Sequence, residues 1–157
     1  TTVALVRHGK AMERKNWSGR DQSRPISTQG RKQAIDLVPL LAAYGIESLA
    51  SSTSTRCMQT LAPYEREIRG EIEGWAALSE EQAKIDEESS AKVMRQIVRR
   101  AVVENRPTAV CGHRPVLPLM FEEIGVSLNG LQPGALGIAH ISPAGETLAV
   151  EWVRPRR

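Results

Sequence analysis

The stretch Val3-Ala4-Leu5-Val6-Arg7-His8-Gly9 lies at the start of the chain and decides how the rest is interpreted. Its first four residues form an unbroken apolar run, which predicts a short strand buried on both faces, as in a parallel sheet. A cation, an imidazole and a glycine follow directly. Ligands of open α/β sheets bind beyond the carboxyl ends of the strands. The sequence therefore predicts a functional site at the end of this first strand.

Strand and helix patterns alternate along the rest of the chain. Strands are predicted at residues 3–6, 46–51, 71–77 and 108–111, followed by a hairpin of residues 136–141 and 147–152. The first predicted helix is capped by Ser27 or Thr28 and ends at Gly45. The second follows the polar turn at 52–54. The third is capped by Ser89 or Ser90, and the fourth begins near Pro115. Residues 80–88 are interpreted as a loop or a mobile helix. This order predicts an α/β three-layer sandwich with a mostly parallel central sheet and a C-terminal antiparallel hairpin. Without a linker or repeat, residues 1–157 are expected to form one domain.

Composition is that of an ordinary soluble protein. The 157 residues are 41% hydrophobic and 25% charged, and the net charge of +3 suits an anionic substrate. No apolar stretch approaches the ~20 residues of a membrane-spanning helix, and no signal peptide is visible, so a cytoplasmic protein is expected. Cys57 and Cys111 have no second ligand at metal-binding spacing and are expected to be buried small side chains.

Two further strand ends deliver residues of the same chemistry. Arg56 follows the second strand and its Ser/Thr turn, and His113 follows residues 108–111. Arginine presents a planar fork of donors that fits phosphate oxygens, and histidine can act as a nucleophile. Neighbouring arginines also favour the neutral imidazole that such a nucleophile needs. The convergence of Arg7, His8, Arg56 and His113 predicts a site for phosphoryl transfer that needs no metal or cofactor. His140, in the hairpin, is expected to be structural.

Four segments carry a resemblance to a known family. They are Arg7-His8-Gly9, Arg24-Pro25-Ile26-Ser27-Thr28-Gln29-Gly30, Ser51-Ser52-Thr53-Ser54-Thr55-Arg56-Cys57-Met58-Gln59-Thr60 and Cys111-Gly112-His113. In this order they resemble the motifs of the histidine phosphatase superfamily, whose fold is phosphoglycerate mutase-like. The resemblance covers residues 3 to about 120.

The resemblance implies roles for the matching residues. His8 would accept the phosphoryl group, and Arg7, Arg56 and His113 would complete the phosphate pocket, with His113 donating to a phosphoryl oxygen. A carboxylic acid after the third strand would protonate the leaving group. Glu80 is the preferred candidate for that acid, and Glu81 is its rival.

Two branches of the family fit so short a chain. One is the SixA-type phosphohistidine phosphatases, which act on a phosphorylated signalling protein. The other is the phosphatase-like domain that follows a Nudix domain in actinobacterial MutT-type proteins, which clean up oxidised nucleotides. The second is more similar, through Thr1-Thr2-Val3, the Trp17-Ser18-Gly19 segment with Asp21, and Leu78-Ser79-Glu80-Glu81. It would also explain a chain that starts without Met, as the C-terminal part of a longer protein with a Nudix domain upstream.

The loop from Lys10 to Arg24 suggests how a nucleotide could bind. Its cations could hold a second phosphate and Trp17 could stack on a base. Substrate binding is therefore expected from Gly9, Lys10, Trp17, Ser18 and Arg24, on a nucleoside diphosphate that becomes the monophosphate. The alternative is a set of solvated charges with Trp17 packed as a lid.

Two other classes of function stay open at this level. A degenerate family member could bind phosphorylated ligands without turnover. A nucleic-acid-binding protein is suggested by the basic charge and by Arg154, Arg156 and Arg157, but the chain has no helix-turn-helix, zinc pattern or clustered strand aromatics.

Overall fold

A six-stranded sheet forms the middle of the protein, for which a computed structural model describes residues 1–155. The strands are β1 (Thr2–Arg7), β2 (Ser48–Ser52), β3 (Ile72–Trp75), β4 (Thr108–Gly112), β5 (Leu136–Ile141) and β6 (Thr147–Val153), in the order β3-β2-β4-β1-β5-β6. The first four strands run parallel, and the β5–β6 hairpin pairs antiparallel to β1. The mostly parallel sheet and its C-terminal antiparallel hairpin are as predicted. Arg156 and Arg157, on which the nucleic-acid alternative partly rested, lie outside the described residues.

Five helices cover the two faces of this sheet. They are α1 (Thr28–Ala43), α2 (Thr55–Ile68), α3 (Glu80–Ile85), α4 (Glu87–Glu104) and α5 (Leu117–Glu122). Leu41 of α1 and Leu61 of α2 pack with Ala4 and Val6, whereas α4 and α5 pack on the other face, against Val3 and Leu5. The side chains of β1 alternate between two cores, which explains its unbroken apolar run. The three-layer sandwich is confirmed. Within the described residues, no helix combines the length and the apolar character needed to cross a bilayer.

The predicted N-terminal cap of α1 is confirmed, and the predicted cap of α4 is wrong. Ser27 caps α1 by accepting a hydrogen bond from the Gly30 N–H at 3.1 Å. For α4 the expected caps Ser89 and Ser90 are wrong, because the Asp86 carboxylate accepts from the Ser89 N–H. The helix thus begins a turn earlier than predicted. The acidic stretch 80–88 is helical, forming α3 and the start of α4.

Candidate active site

The register of the parallel strands brings the predicted residues to one edge of the sheet. Arg7 at the end of β1 is opposite Gly112 at the end of β4, so His8 and His113 leave neighbouring strands at the same level. Their ring centroids are 5.4 Å apart, edge to face. β4 also pairs with β2, after which α2 begins and presents Arg56 on its first turn. The structure therefore brings His8, Arg56 and His113 into one buried cluster.

His8 is held with one ring nitrogen free. Its Nδ1 lies 2.8 Å from the carbonyl oxygen of Gly9, to which the Nδ1–H donates. This hydrogen bond leaves the lone pair on Nε2. Burial, the neighbouring His113 and the charges of Arg56 and Arg7 together lower the pKa of His8 from 6.5 to about 3, against the opposing effect of the Gly9 hydrogen bond. His8 is thus a neutral imidazole at physiological pH, the form that can attack a phosphorus atom.

The low pKa of His8 predicts a specific acid sensitivity of the fold. An unfolded histidine binds a proton below about pH 6.5, whereas folded His8 stays neutral down to about pH 3. The unfolded state therefore binds more protons in this window, and the free energy of unfolding falls as the pH is lowered, by up to about 1.4 kcal/mol per pH unit. In urea titrations at pH 7 and pH 4, we expect the wild type to lose about 3 kcal/mol more than the His8→Asn variant. Equal losses in the two proteins would contradict the buried, neutral state of His8.

His113 is fully buried, and its Nε2 is already in contact with neighbours. Nε2 lies 2.9 Å from the Ser52 hydroxyl and 3.5 Å from the Sγ of Cys57. Its Nδ1 faces Glu80, with 3.6 Å to Oε1. Both ring nitrogens of His113 therefore have polar neighbours, and the ring is oriented by Ser52 on one side and by Glu80 on the other. Of the two imidazoles, His8 is thus the one with an unoccupied nitrogen.

Arg56 is the largest of the fully buried side chains, at 1% exposure. Its Nη1 donates to the Asp21 carbonyl oxygen at 2.8 Å, and its Nη2 lies 3.3 Å from Asp21 Oδ2 and 3.6 Å from Glu80 Oε1. The Nε of Arg56, like that of Arg7, is buried and finds no hydrogen-bond partner within residues 1–155. Buried donors are normally paired, so unpaired donors on two converging arginines fit an anion in this cluster.

Asp21 is a site residue that sequence reasoning did not single out. Its carboxylate accepts from Arg24 Nε at 2.9 Å, lies 3.5 Å from Arg14 Nε, and also contacts Arg56. Partial burial acts to raise the pKa of Asp21, but the hydrogen bond from Arg24 and the charges of Arg56 and Arg14 lower it below its ordinary value. Asp21 is therefore an ionised carboxylate, and its contacts fix the orientation of the Arg56 guanidinium. In the sequence its only signal is membership of the segment that contains Trp17.

The two candidate acids are separated by the structure. Glu80, at the start of α3, is within 3.6 Å of both Arg56 and His113, and its side chain is 18% exposed. Glu81 makes no such contact within residues 1–155, and its Oε2 is buried without a partner. Position favours Glu80 for proton transfer, and the role stays a prediction. Among the described residues, no three His, Cys, Asp or Glu side chains form a group that could hold a metal ion.

Glycine at position 9 allows two backbone segments to approach each other closely. A Cβ at position 9 would lie 2.9 Å from the carbonyl oxygen of Gly30, so the close approach is to the first turn of α1 and not to a ligand. The Gly9 N–H donates to Thr60 Oγ1 at 2.9 Å, and that hydroxyl donates to the Arg56 carbonyl oxygen. Gly9 therefore ties the His8 loop to α1 and α2.

Among the other expected substrate-binding residues, the side chains of Arg24 and Trp17 are engaged by groups of their own loop. The guanidinium of Arg24 is buried and donates to Asp21 and to the Met12 carbonyl oxygen, so it supports Asp21 instead of presenting a free cation. Trp17 donates through Nε1 to the Arg20 carbonyl oxygen, and its ring lies against Gly19. Lys10 and Ser18 are exposed. The loop itself contains two short 3-10 turns, Arg14–Asn16 and Asp21–Ser23.

The cysteines and His140 are placed as predicted. Cys57 and Cys111 are both buried free thiols. His140 lies on β5, where its Nε2 is 2.7 Å from Glu151 of β6. Beyond packing, Cys57 lies against His113, a contact that its apolar surroundings in the sequence did not indicate.

Comparisons with known proteins agree with this geometry. The sequence profile of the histidine phosphatase superfamily (branch 1) matches residues 3–109. An 8-oxo-(d)GTP phosphatase of Mycolicibacterium smegmatis is 29% identical over 160 residues, which cover 98% of this chain and 48% of the relative. The chain thus spans about half the length of the curated relative it matches.

Solved structures share the fold at lower identity. The protein histidine phosphatase SixA, complexed with tungstate, superimposes with a TM-score of 0.76 at 17% identity, covering 98% of this chain and 95% of SixA. Bacillus stearothermophilus YhfR gives a TM-score of 0.73 at 16% identity, covering 93% of each chain. Since the family profile matches residues 3–109, more than half of the chain, this protein belongs to the histidine phosphatase superfamily.

Proposed function

We propose that this phosphatase removes the terminal phosphate of a nucleoside diphosphate, including oxidised forms, through a covalent phosphohistidine on His8. The observation that carries the proposal is the Nε2 of neutral His8 in a cluster with the Nε donors of two arginines, all without a hydrogen-bond partner on these nitrogens within residues 1–155. A nucleophile and unpaired donors are together what the transfer of a phosphoryl group requires.

The proposed reaction has two steps. The Nε2 lone pair attacks phosphorus, the bond from phosphorus to the leaving oxygen breaks, and Glu80 gives that oxygen its proton. Water then attacks the phosphohistidine and loses a proton to the Glu80 carboxylate, while the P–N bond breaks and returns the electron pair to His8. Arg7, Arg56 and His113 stabilise the charge on the equatorial oxygens in both steps.

The choice of substrate is supported by the M. smegmatis relative. That relative is an 8-oxo-(d)GTP phosphatase, and it aligns with nearly the whole of this chain but with only 48% of its own length. We therefore also propose that this chain is the phosphatase part of a longer protein, with a Nudix domain upstream of Thr1. The sequence of the intact gene tests that proposal.

A panel of four substrates tests the function. We expect phosphate release from nucleoside diphosphates, with and without an oxidised guanine, to exceed release from a phosphohistidine peptide. Release from the peptide alone would favour the SixA-type activity and overturn the nucleotide proposal. If an aryl phosphate gives neither turnover nor an acid-labile phosphoenzyme, the protein is a binding module.

The acid role of Glu80 predicts a dependence on the leaving group. In Glu80→Gln, kcat/KM for an alkyl phosphate should fall by roughly 10²- to 10³-fold, because an alkoxide needs a proton to leave. For p-nitrophenyl phosphate we expect a fall below about tenfold, since a nitrophenolate leaves without protonation. Steady-state kinetics with both esters measure the difference.

Glu81→Gln is the matched control for this prediction. It changes the neighbouring carboxylate, which has no contact with Arg56 or His113 within residues 1–155. A selective loss in Glu81→Gln would transfer the acid role to Glu81. Equal losses for both esters in Glu80→Gln would assign Glu80 a purely electrostatic role.

A further inference from the structure

A groove of about 640 Å³ opens beside Arg7, between the segment 127–135 and the end of β6. None of the expected substrate-binding residues Gly9, Lys10, Trp17, Ser18 and Arg24 lines it. The residues that define its chemistry are Arg7, Arg114, Asn129, Leu131, Trp152 and Arg154.

Arg7 lines the groove and is also close to His8 in the cluster of His8, Arg56 and His113. Its Nη1 donates to the Leu131 carbonyl oxygen at 2.7 Å, which anchors it to the groove segment. The same guanidinium is close enough to Glu80 and to Arg114 to feel both charges. A ligand whose phosphoryl group lies beside His8 and Arg7 can therefore extend into this groove.

Trp152 offers the groove an aromatic face. On β6 it pairs with Gly137 of β5, and its ring lies 5.3 Å from that of Phe121, centroid to centroid. A Cβ at Gly137 would come within 2.8 Å of the Trp152 ring, so the absence of a side chain there seats the indole against the sheet. The residue is nevertheless 48% exposed. One side of the indole is thus packed while the other can stack on a base.

The charge of the groove complements an anion. Arg114 and Arg154 are exposed, and neither pairs with an acidic side chain within the part of the chain that the structure describes. Among the described residues, the groove lining contains three arginines and no carboxylate. By contrast, the cations of the loop 10–24 that face the cluster, Arg14 and Arg24, are both engaged by Asp21.

We propose that this groove binds the nucleoside and the non-transferred phosphate of the substrate, with Trp152 stacking on the base and Arg114 and Arg154 holding the phosphate. The inference rests on the proposed function, because it assumes that the transferred phosphoryl group lies beside His8. It replaces the expectation that Trp17 and the loop 10–24 hold the nucleotide.

The test compares a nucleoside diphosphate with glycerol phosphate, which has no base and no second phosphate. In Trp152→Leu and in Arg154→Ala, kcat/KM for the diphosphate should fall at least fivefold, in line with the loss of a base stack or a phosphate contact, while the value for glycerol phosphate stays within twofold. Trp152→Tyr, which keeps an aromatic face, should retain most of the activity. Leu148→Ala on the same strand and Arg99→Ala on α4 are matched exposed controls and should leave both substrates unchanged.

A binding measurement gives a readout independent of turnover. Calorimetric titration of the nucleoside diphosphate into the His8→Asn protein should show a dissociation constant at least fivefold weaker when Trp152→Leu is added. Unchanged affinity and kcat/KM in the groove variants, or a selective loss in Trp17→Leu instead, would overturn the groove proposal alone. Failure of the wild type to release phosphate from any nucleotide would overturn the proposed function, and the groove proposal with it.

Discussion

Replacing His8 by Asn is expected to lower kcat by roughly 10⁴-fold or more, because it removes the atom that we propose accepts the phosphoryl group. Asparagine is close in shape and keeps a donor for the Gly9 carbonyl oxygen, which His8 Nδ1 contacts at 2.8 Å. The change therefore removes Nε2 with little disturbance of the loop. Rapid quenching in alkaline denaturant with radiolabelled substrate should detect a phosphoenzyme in the wild type that is stable in alkali and lost on acid treatment, and none in the variant.

His140→Asn is the matched control for the nucleophile. His140 is a partly exposed histidine paired with Glu151 on the hairpin, and it lies opposite Thr2, at the other end of β1 from His8. The same substitution there should leave kcat unchanged. Retention of a phosphoenzyme in His8→Asn would show that another residue accepts the phosphoryl group, with His113 the first to test.

Replacing Arg56 by Lys should lower kcat/KM by roughly 10²- to 10³-fold, the usual loss when one donor to a developing oxyanion is removed. Lysine keeps the charge but not the planar fork. In the wild type that fork reaches the Asp21 carbonyl oxygen and the Asp21 carboxylate at once, which leaves Nε for the substrate. A flexible ammonium cannot satisfy both requirements. Kinetics with p-nitrophenyl phosphate measure the loss without dependence on the nucleotide.

Arg24→Lys is the control that distinguishes the role of Arg56 from that of Arg24, since both arginines contact the Asp21 carboxylate. Arg24 is equally a buried arginine and donates to the same carboxylate, but it does not contact His113 or Glu80. We expect Arg24→Lys to reduce kcat/KM less than tenfold, through a looser Asp21. If it matches Arg56→Lys, Arg24 binds the substrate directly, as the sequence first suggested.

The strands, their order along the chain and the sheet edge at which the candidate catalytic residues meet were predictable, because they depend on local sequence patterns. Apolar runs at 3–6 and 108–111 indicate strands buried on both faces, and parallel strands place their carboxyl ends together. Ser27 as the cap of α1 follows from the same local logic. Three strand ends therefore predicted the meeting of Arg7, His8, Arg56 and His113.

Tertiary structure alone decided how those side chains are held and where a substrate can extend. Asp21 behind Arg56, Ser52 on His113, the packing of Gly9 on Gly30 and the groove between Arg7 and Trp152 all join residues that are distant in sequence. Hydrogen bonds and close packing of this kind act over a few ångströms in space, and no periodicity of apolar residues encodes them. The sequence by itself determined which chemistry meets at the sheet edge; the folded packing determined which nitrogen is free, which arginine is anchored and which cation remains available.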